Sequence, residues 1–157
     1  LNVPYETGLI KNRYIGSTFI RPTEQQRMQG MRVRLNAISS VVKDKSVYLV
    51  DDSVVKGFTS RRICQLLKEA GAKEVHLRIA SPMLKYPCLY GADSTAQKDL
   101  AAFNYSVDEM KQLFQVDSLR FISVEDFKKC VPETSCLACC TGEYPEELQD
   151  YKDEVKE

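Results

Sequence analysis

The sequence predicts an α/β fold: one domain built on a parallel sheet flanked by helices. Three observations point there. Residues 47–50 form a short, continuous apolar run rich in β-branched side chains, the pattern of a parallel strand buried on both faces. A helical face follows in residues 60–70, and then an alternating stretch in residues 74–80, giving the strand, helix, strand spacing of a βαβ unit with a right-handed crossover. The third is composition. The chain has 157 residues, 43% hydrophobic and 28% charged, with no internal repeat, low-complexity segment or linker, which suits a single core.

Element by element, residues 5–20 are rich in Gly, Asn, Arg, Ser and Thr, which predicts a short strand near Leu9 and Ile10 and then a loop kept open by Gly16, Pro22 and Gly30. Val33, Leu35, Ile38, Val41 and Val42 fit a short amphipathic stretch packed beside a strand, before Lys43-Asp44-Lys45 turns the chain. The strand over 47–50 stops at Asp51-Asp52. A helix starting near Thr59 places Ile63, Leu66, Leu67 and Ala70 on one face, with Cys64 on the same apolar side and Gly71 ending it. Ser106 and Glu109 have the spacing of a capping box that opens a helix running to about Phe114. Phe121 and Ile122 read as the last strand, and Ser123 with Asp126 begins another helix. His76, between Val75 and Leu77, reads as a packed or surface histidine in mid-strand.

Charge divides the chain. The total is zero, yet residues 1–80 hold 14 Lys/Arg against 7 Asp/Glu, and residues 81–157 hold 8 against 15. The first half attracts anions. A neutral total argues against a nucleic-acid binder, and no apolar run approaches the roughly 20 residues of a membrane helix. The last 15 residues carry seven acids and two lysines and read as an exposed helix or frayed tail. Leu1 stands where a methionine is expected and no signal pattern follows, so the sequence reads as a partial chain. Six cysteines without a secretory signal indicate a reducing, cytoplasmic setting, and Cys136-Leu-Ala-Cys139 has the spacing by which two thiolates reach one metal or cluster iron.

The residues after the first buried strand carry the most chemistry. Two adjacent carboxylates at the C-terminal end of a strand, a loop containing Gly57, and a helix form the edge where open α/β sheets bind ligands. The amides of residues 54–59, the hydroxyls of Ser53, Thr59 and Ser60 and the positive end of the helix suit a phosphate monoester. Asp51 and Asp52 lie too near that loop to bind the phosphate themselves; they would accept from sugar hydroxyls or hold Mg²⁺. A sugar phosphate satisfies both halves.

The run Val47-Tyr-Leu-Val-Asp-Asp-Ser-Val-Val-Lys-Gly-Phe-Thr-Ser60 resembles the motif of phosphoribosyltransferases that use phosphoribosyl pyrophosphate (PRPP), and more narrowly that of the amidophosphoribosyltransferases, the glutamine-dependent enzymes opening purine biosynthesis. Gly8-Leu-Ile-Lys-Asn-Arg-Tyr-Ile-Gly-Ser-Thr-Phe-Ile20 is similar to that family's flexible catalytic loop. Ser81-Pro-Met-Leu-Lys-Tyr-Pro-Cys-Leu-Tyr-Gly91, Cys136-Leu-Ala-Cys139 and Thr141-Gly-Glu-Tyr-Pro145 resemble its later signatures, in the same order.

The resemblance implies a type I phosphoribosyltransferase-like fold truncated at its N-terminus, with residues 1–157 forming part of that domain, cysteine segment included. It implies that Asp51 and Asp52 face the ribose hydroxyls and Mg²⁺. Ser53, Val54, Val55, Lys56, Gly57, Phe58 and Thr59 would line the 5-phosphate, and Lys11, Arg13 and Tyr14 would act from the loop closing over pyrophosphate. Two positions depart from the family pattern: Ser17 stands for an arginine and Phe58 for a threonine of the phosphate loop. Each removes a polar contact, at roughly 1.5–3 kcal/mol for a hydrogen bond to a charged group.

Family members with an iron-sulfur cluster would take ligands matching Cys88, Cys136 and Cys139. The fourth ligand lies upstream, so a 4Fe-4S cluster is expected in a full-length protein only. The implied partners are PRPP, purine nucleotides as feedback ligands and a glutaminase domain supplied in cis or trans; a homo-oligomer is compatible. Without the glutaminase and the upstream pyrophosphate loop, the chain alone is expected to turn over negligibly. Two other hypotheses remain: a PRPP- or nucleotide-binding regulatory module without turnover, and a zinc-binding interaction protein using Cys136, Cys139 and Cys140, which has no histidine nearby to complete a site.

Overall fold

A computed structural model describes residues 3–11, 35–90 and 96–145. Two sheets are present among them. Strand β1 (Leu9–Lys11) pairs antiparallel with β2 (Leu35–Ala37), with Leu9 opposite Ala37. The main sheet has the order β3 (Ser46–Asp51), β4 (Glu74–Ile79), β5 (Ser118–Phe121), parallel throughout, with Tyr48 opposite His76 and His76 opposite Ser118. The helices are α1 (Ser39–Val42), α2 (Phe58–Glu69), α3 (Ala101–Asn104), α4 (Val107–Phe114), α5 (Val124–Lys128) and α6 (Ala138–Thr141), with a 3₁₀ turn at Gln97–Asp99.

Helix α2 connects β3 to β4, as its apolar spacing predicts, burying Ile63, Cys64 and Leu67. Ala70 caps it, and Gly71 turns away at φ 96° with its amide donating to Lys68 O. Helix α4 opens with the expected capping box: the Glu109 amide donates to Ser106 Oγ, and the Ser106 amide donates to Glu109 Oε2. Met110 and Phe114, four residues apart on its inner face, are both fully buried. Together with Cys64, Leu67, Val75, Leu77, Ile79 and Leu119 they form the core, so α2 and α4 cover one face of the sheet. Each such large side chain contributes roughly 1.5–3 kcal/mol by leaving water.

The opposite face differs from the expectation of a strand buried on both sides. Tyr48 is 58% and Val50 70% exposed, because β3 alternates and no described element lies over that face. Tyr48 stacks on His76 (ring centroids 4.8 Å apart), and the Arg78 guanidinium lies 5.3 Å from the Tyr48 centroid. His76 also contacts Ser118 Oγ and Ser46 Oγ, which fits the packed histidine predicted. The stretch expected to be one amphipathic piece over 33–42 contains β2 and then α1, because Leu35–Ala37 finds a strand partner in β1. The last strand comes slightly earlier than predicted, at Ser118–Phe121, and α2 begins one residue earlier, at Phe58. Helices α3 and α6 carry too little periodicity to be read from sequence. Among the described residues, no helix is long and apolar enough to cross a membrane.

Candidate functional site

Asp51 ends β3, and residues 52–57 form the loop that enters α2. The carboxylates are held locally. Asp51 accepts from the Asp52 amide at 3.2 Å and from Ser60 Oγ at 3.4 Å; Asp52 accepts from the Ser53 amide at 2.6 Å. Burial raises the Asp51 pKa above its ordinary value, and the neighbouring Asp52 charge adds to this, while the two hydrogen bonds oppose it. Asp52 is exposed.

The loop rests on the core. Val54 is buried, and the Ala101 amide donates to Val55 O at 2.8 Å, tying the loop to α3. Gly57 sits at φ 79°, and a Cβ there would fall 2.9 Å from the Phe114 ring, so both backbone conformation and space require glycine. Arg61 is the first amide of α2 with an intrahelical acceptor, Gly57 O at 3.0 Å. Among the described residues, no amide from residue 54 to 60 donates to a backbone acceptor, which leaves donors at the positive end of a 12-residue helix. Phe58 is 45% exposed in the first helical turn. Lys56 Nζ pairs with Asp99 Oδ2 at 2.9 Å, and the lysine lowers the Asp99 pKa. That pair spans 43 positions, and no local sequence signal announces it.

Of the three residues expected to act from a closing loop, Lys11 ends β1, exposed and opposite Leu35. Arg13 and Tyr14, like Ser17, lie outside the described residues.

The cysteine segment lies against residues 85–88. The amides of Lys85 and Tyr86 both donate to Cys139 O at 3.0 Å, Tyr144 Oη donates to Pro87 O at 2.6 Å, and Gly142 packs on the Tyr86 ring. Burial pushes the Tyr144 hydroxyl up to about 12. All six cysteines are free thiols. Cys136 is exposed, Cys88 and Cys139 are half-buried, and the sulfur contact among them joins Cys139 to Cys140, with Sγ atoms 3.9 Å apart. That contact lowers the Cys139 pKa and raises that of Cys140. Cys64 is fully buried, as its helical position predicts, and burial pushes its thiol up to about 12. Among the described residues, no three His, Cys, Asp or Glu side chains are grouped to hold one metal ion. Cys88, Cys136 and Cys139 all lie near enough to Tyr144 for their charges to add to the rise of its hydroxyl pKa. An open groove of about 810 Å³, lined by residues such as Tyr90, Val131, Cys136 and Tyr144, lies beside this segment and not at the loop after β3.

No family model matches the chain. It is 48% identical over 160 aligned positions to an amidophosphoribosyltransferase of Bacillus subtilis, covering 98% of this chain and 33% of that protein. A Methanocaldococcus jannaschii protein of the same name is 47% identical over 147 positions, covering 93% and 31%. Two solved structures share the fold. One is the glutamine PRPP amidotransferase of B. subtilis complexed with ADP and GMP, with TM-score 0.79, 49% identity and 94% of this chain covered against 34% of that one. The other, described as the allosteric regulatory enzyme of purine biosynthesis, has TM-score 0.80, 46% identity and coverage of 98% and 35%. The chain thus spans about a third of the length of the relatives it matches.

Proposed function

Because this chain belongs to the amidophosphoribosyltransferase family over the third of those proteins that it spans, we propose that residues 1–157 are part of a phosphoribosyltransferase domain that binds PRPP for transfer of ammonia to C1. The observation carrying this proposal is the core-braced loop after β3, with its run of open amides beside two carboxylates.

In this proposal the amides of residues 54–59 and the hydroxyls of Ser53 and Thr59 receive the 5-phosphate, and Phe58 contributes its amide alone. Lys56 reaches the phosphate by exchanging the Asp99 carboxylate for another anion, a swap of like for like. Asp51 and Asp52 accept from the ribose hydroxyls. Their oxygen donors fit a hard divalent cation held by one or two carboxylates and the substrate's phosphates, and Mg²⁺ bound there would neutralise charge developing on the departing pyrophosphate. Lys11, Arg13 and Tyr14 close over that leaving group and exclude water, which competes with ammonia for an oxocarbenium-like C1. Cys88, Cys136 and Cys139 would supply three of the four thiolates that a 4Fe-4S cluster needs, and no step passes through one. Six free thiols support a reducing, cytoplasmic setting. The nucleotides in the B. subtilis relative support purine nucleotides as a second ligand class, and the missing hydroxyl at Phe58 favours the alternative of nucleotide or PRPP binding without turnover.

The test is calorimetric titration of the 157-residue chain with PRPP and Mg²⁺. The wild type should bind, and the Asp51→Asn/Asp52→Asn double variant should bind roughly tenfold or more weakly. Equal affinity in both, or no binding to wild type, overturns the proposal. Ammonia-dependent release of pyrophosphate by the same protein would separate a catalytic domain from a binding module.

A further inference from the structure

We propose that Asp99 is a built-in competitor for the 5-phosphate: its carboxylate holds the Lys56 ammonium, and a phosphorylated sugar must displace it to reach that cation. This rests on the PRPP binding proposed for the loop after β3, and it assigns a role to a residue outside that loop. Asp99 acts on the ligand through Lys56 and sets how tightly the loop holds it.

The segment carrying Asp99 meets the loop at three successive residues. The Ala101 amide donates to Val55 O at 2.8 Å, Lys56 Nζ donates to Asp99 Oδ2 at 2.9 Å, and the Ala101 Cβ lies 3.6 Å from where a Cβ would stand at Gly57. The segment is itself braced. Leu100 and Ala101 are buried, the Leu100 amide donates to Gln97 O at 3.0 Å, and Asn104 Nδ2 donates to the carbonyls of Lys98 and Leu100. A carboxylate on such a turn stays beside the loop after Lys56 releases it, so it competes at high effective concentration with an arriving anion.

The pair is also built to open. The Lys56 and Asp99 side chains are 39% and 48% exposed, and ion pairs so exposed hold weakly. A phosphate monoester carries about −1.5 to −2 charges at neutral pH and three acceptor oxygens, so it outcompetes a single carboxylate for an ammonium beside the N-terminal amides of α2. Keeping both anions would set two like charges against one ammonium, so phosphate entry expels the carboxylate. Asp99 is ionised at neutral pH, its pKa lowered chiefly by Lys56.

The experiment titrates the 157-residue protein calorimetrically with ribose 5-phosphate, which has the 5-phosphate and lacks the pyrophosphate. Asp99→Asn should bind it roughly two- to fivefold more tightly than wild type, the gain from freeing one exposed ion pair. Asp99→Glu, whose carboxylate still reaches Lys56, should match wild type. A purely structural Asp99 has the opposite sign, since its loss would loosen the loop and weaken binding. Lys56→Met should bind more weakly than wild type, and adding Asp99→Asn to it should give no gain. Unchanged or weaker binding by Asp99→Asn, an equal gain in the Lys56→Met background, or wild-type binding of PRPP without ribose 5-phosphate overturns the competitor and leaves the PRPP site standing. Failure of the wild type to bind either ligand overturns the site and the competitor with it.

Discussion

The loop after β3 and the cysteine segment around α6 are both short turns adjoining helices, yet they are held by different physics. The first is braced from below: Val54 is buried, Gly57 lies against Phe114, and Ala101 ties down Val55. The second is held laterally, by backbone and hydroxyl hydrogen bonds from Lys85, Tyr86 and Tyr144. Many weak donors converging on one phosphate, as proposed for the first, need a fixed backbone.

The comparison breaks most readily at Phe114. Phe114→Ala should cost about 3–5 kcal/mol and, by removing the floor of the loop, weaken PRPP binding in any protein that stays folded. Urea unfolding with parallel titrations checks this. Gly57→Val should cost about 2–4 kcal/mol, from a strained left-handed backbone and the collision with Phe114, again with selective loss of PRPP binding. On the other side, Tyr144→Phe removes the hydrogen bond to Pro87 O and should cost about 1 kcal/mol in the same unfolding assay without altering PRPP affinity.

The smallest effect concerns Asp51. Its folded pKa is raised by burial, so between the unfolded value of about 3.9 and the folded one the native state binds more protons, and stability falls as pH rises through that window. Asp51→Asn should flatten this decline and leave the protein slightly more stable at neutral pH, even as it binds PRPP less well. A variant less stable than wild type at pH 7 would show that the ionised carboxylate contributes more through Ser60 and the Asp52 amide than burial costs it.

Much of this was legible where physics is local. The apolar spacing of α2, the Ser106–Glu109 capping box and the β3–α2–β4 unit all follow from neighbours in sequence. The PRPP motif was legible by resemblance, and the loop it marks lies at the end of β3 as expected. What escaped depends on distant partners. No pattern near Lys56 announces Asp99, and none near Gly57 announces Phe114. The run over 47–50 looked buried throughout because β-branched composition does not report whether a second layer covers the sheet. The C-x-x-C spacing points to Cys136 and Cys139, and it does not announce the contact between the Cys139 and Cys140 sulfurs.

The contact between Gly57 and Phe114 also constrains how this sequence can drift. A change at either position is screened twice, once by whether the protein accumulates and once by whether it holds its ligand, and a smaller side chain at 114 would relieve the collision at 57 but not its left-handed backbone. Directed evolution for thermal tolerance would find few acceptable steps there, and libraries seeking altered ligand preference have more freedom at Ser53, Phe58 and Thr59, which the core does not hold.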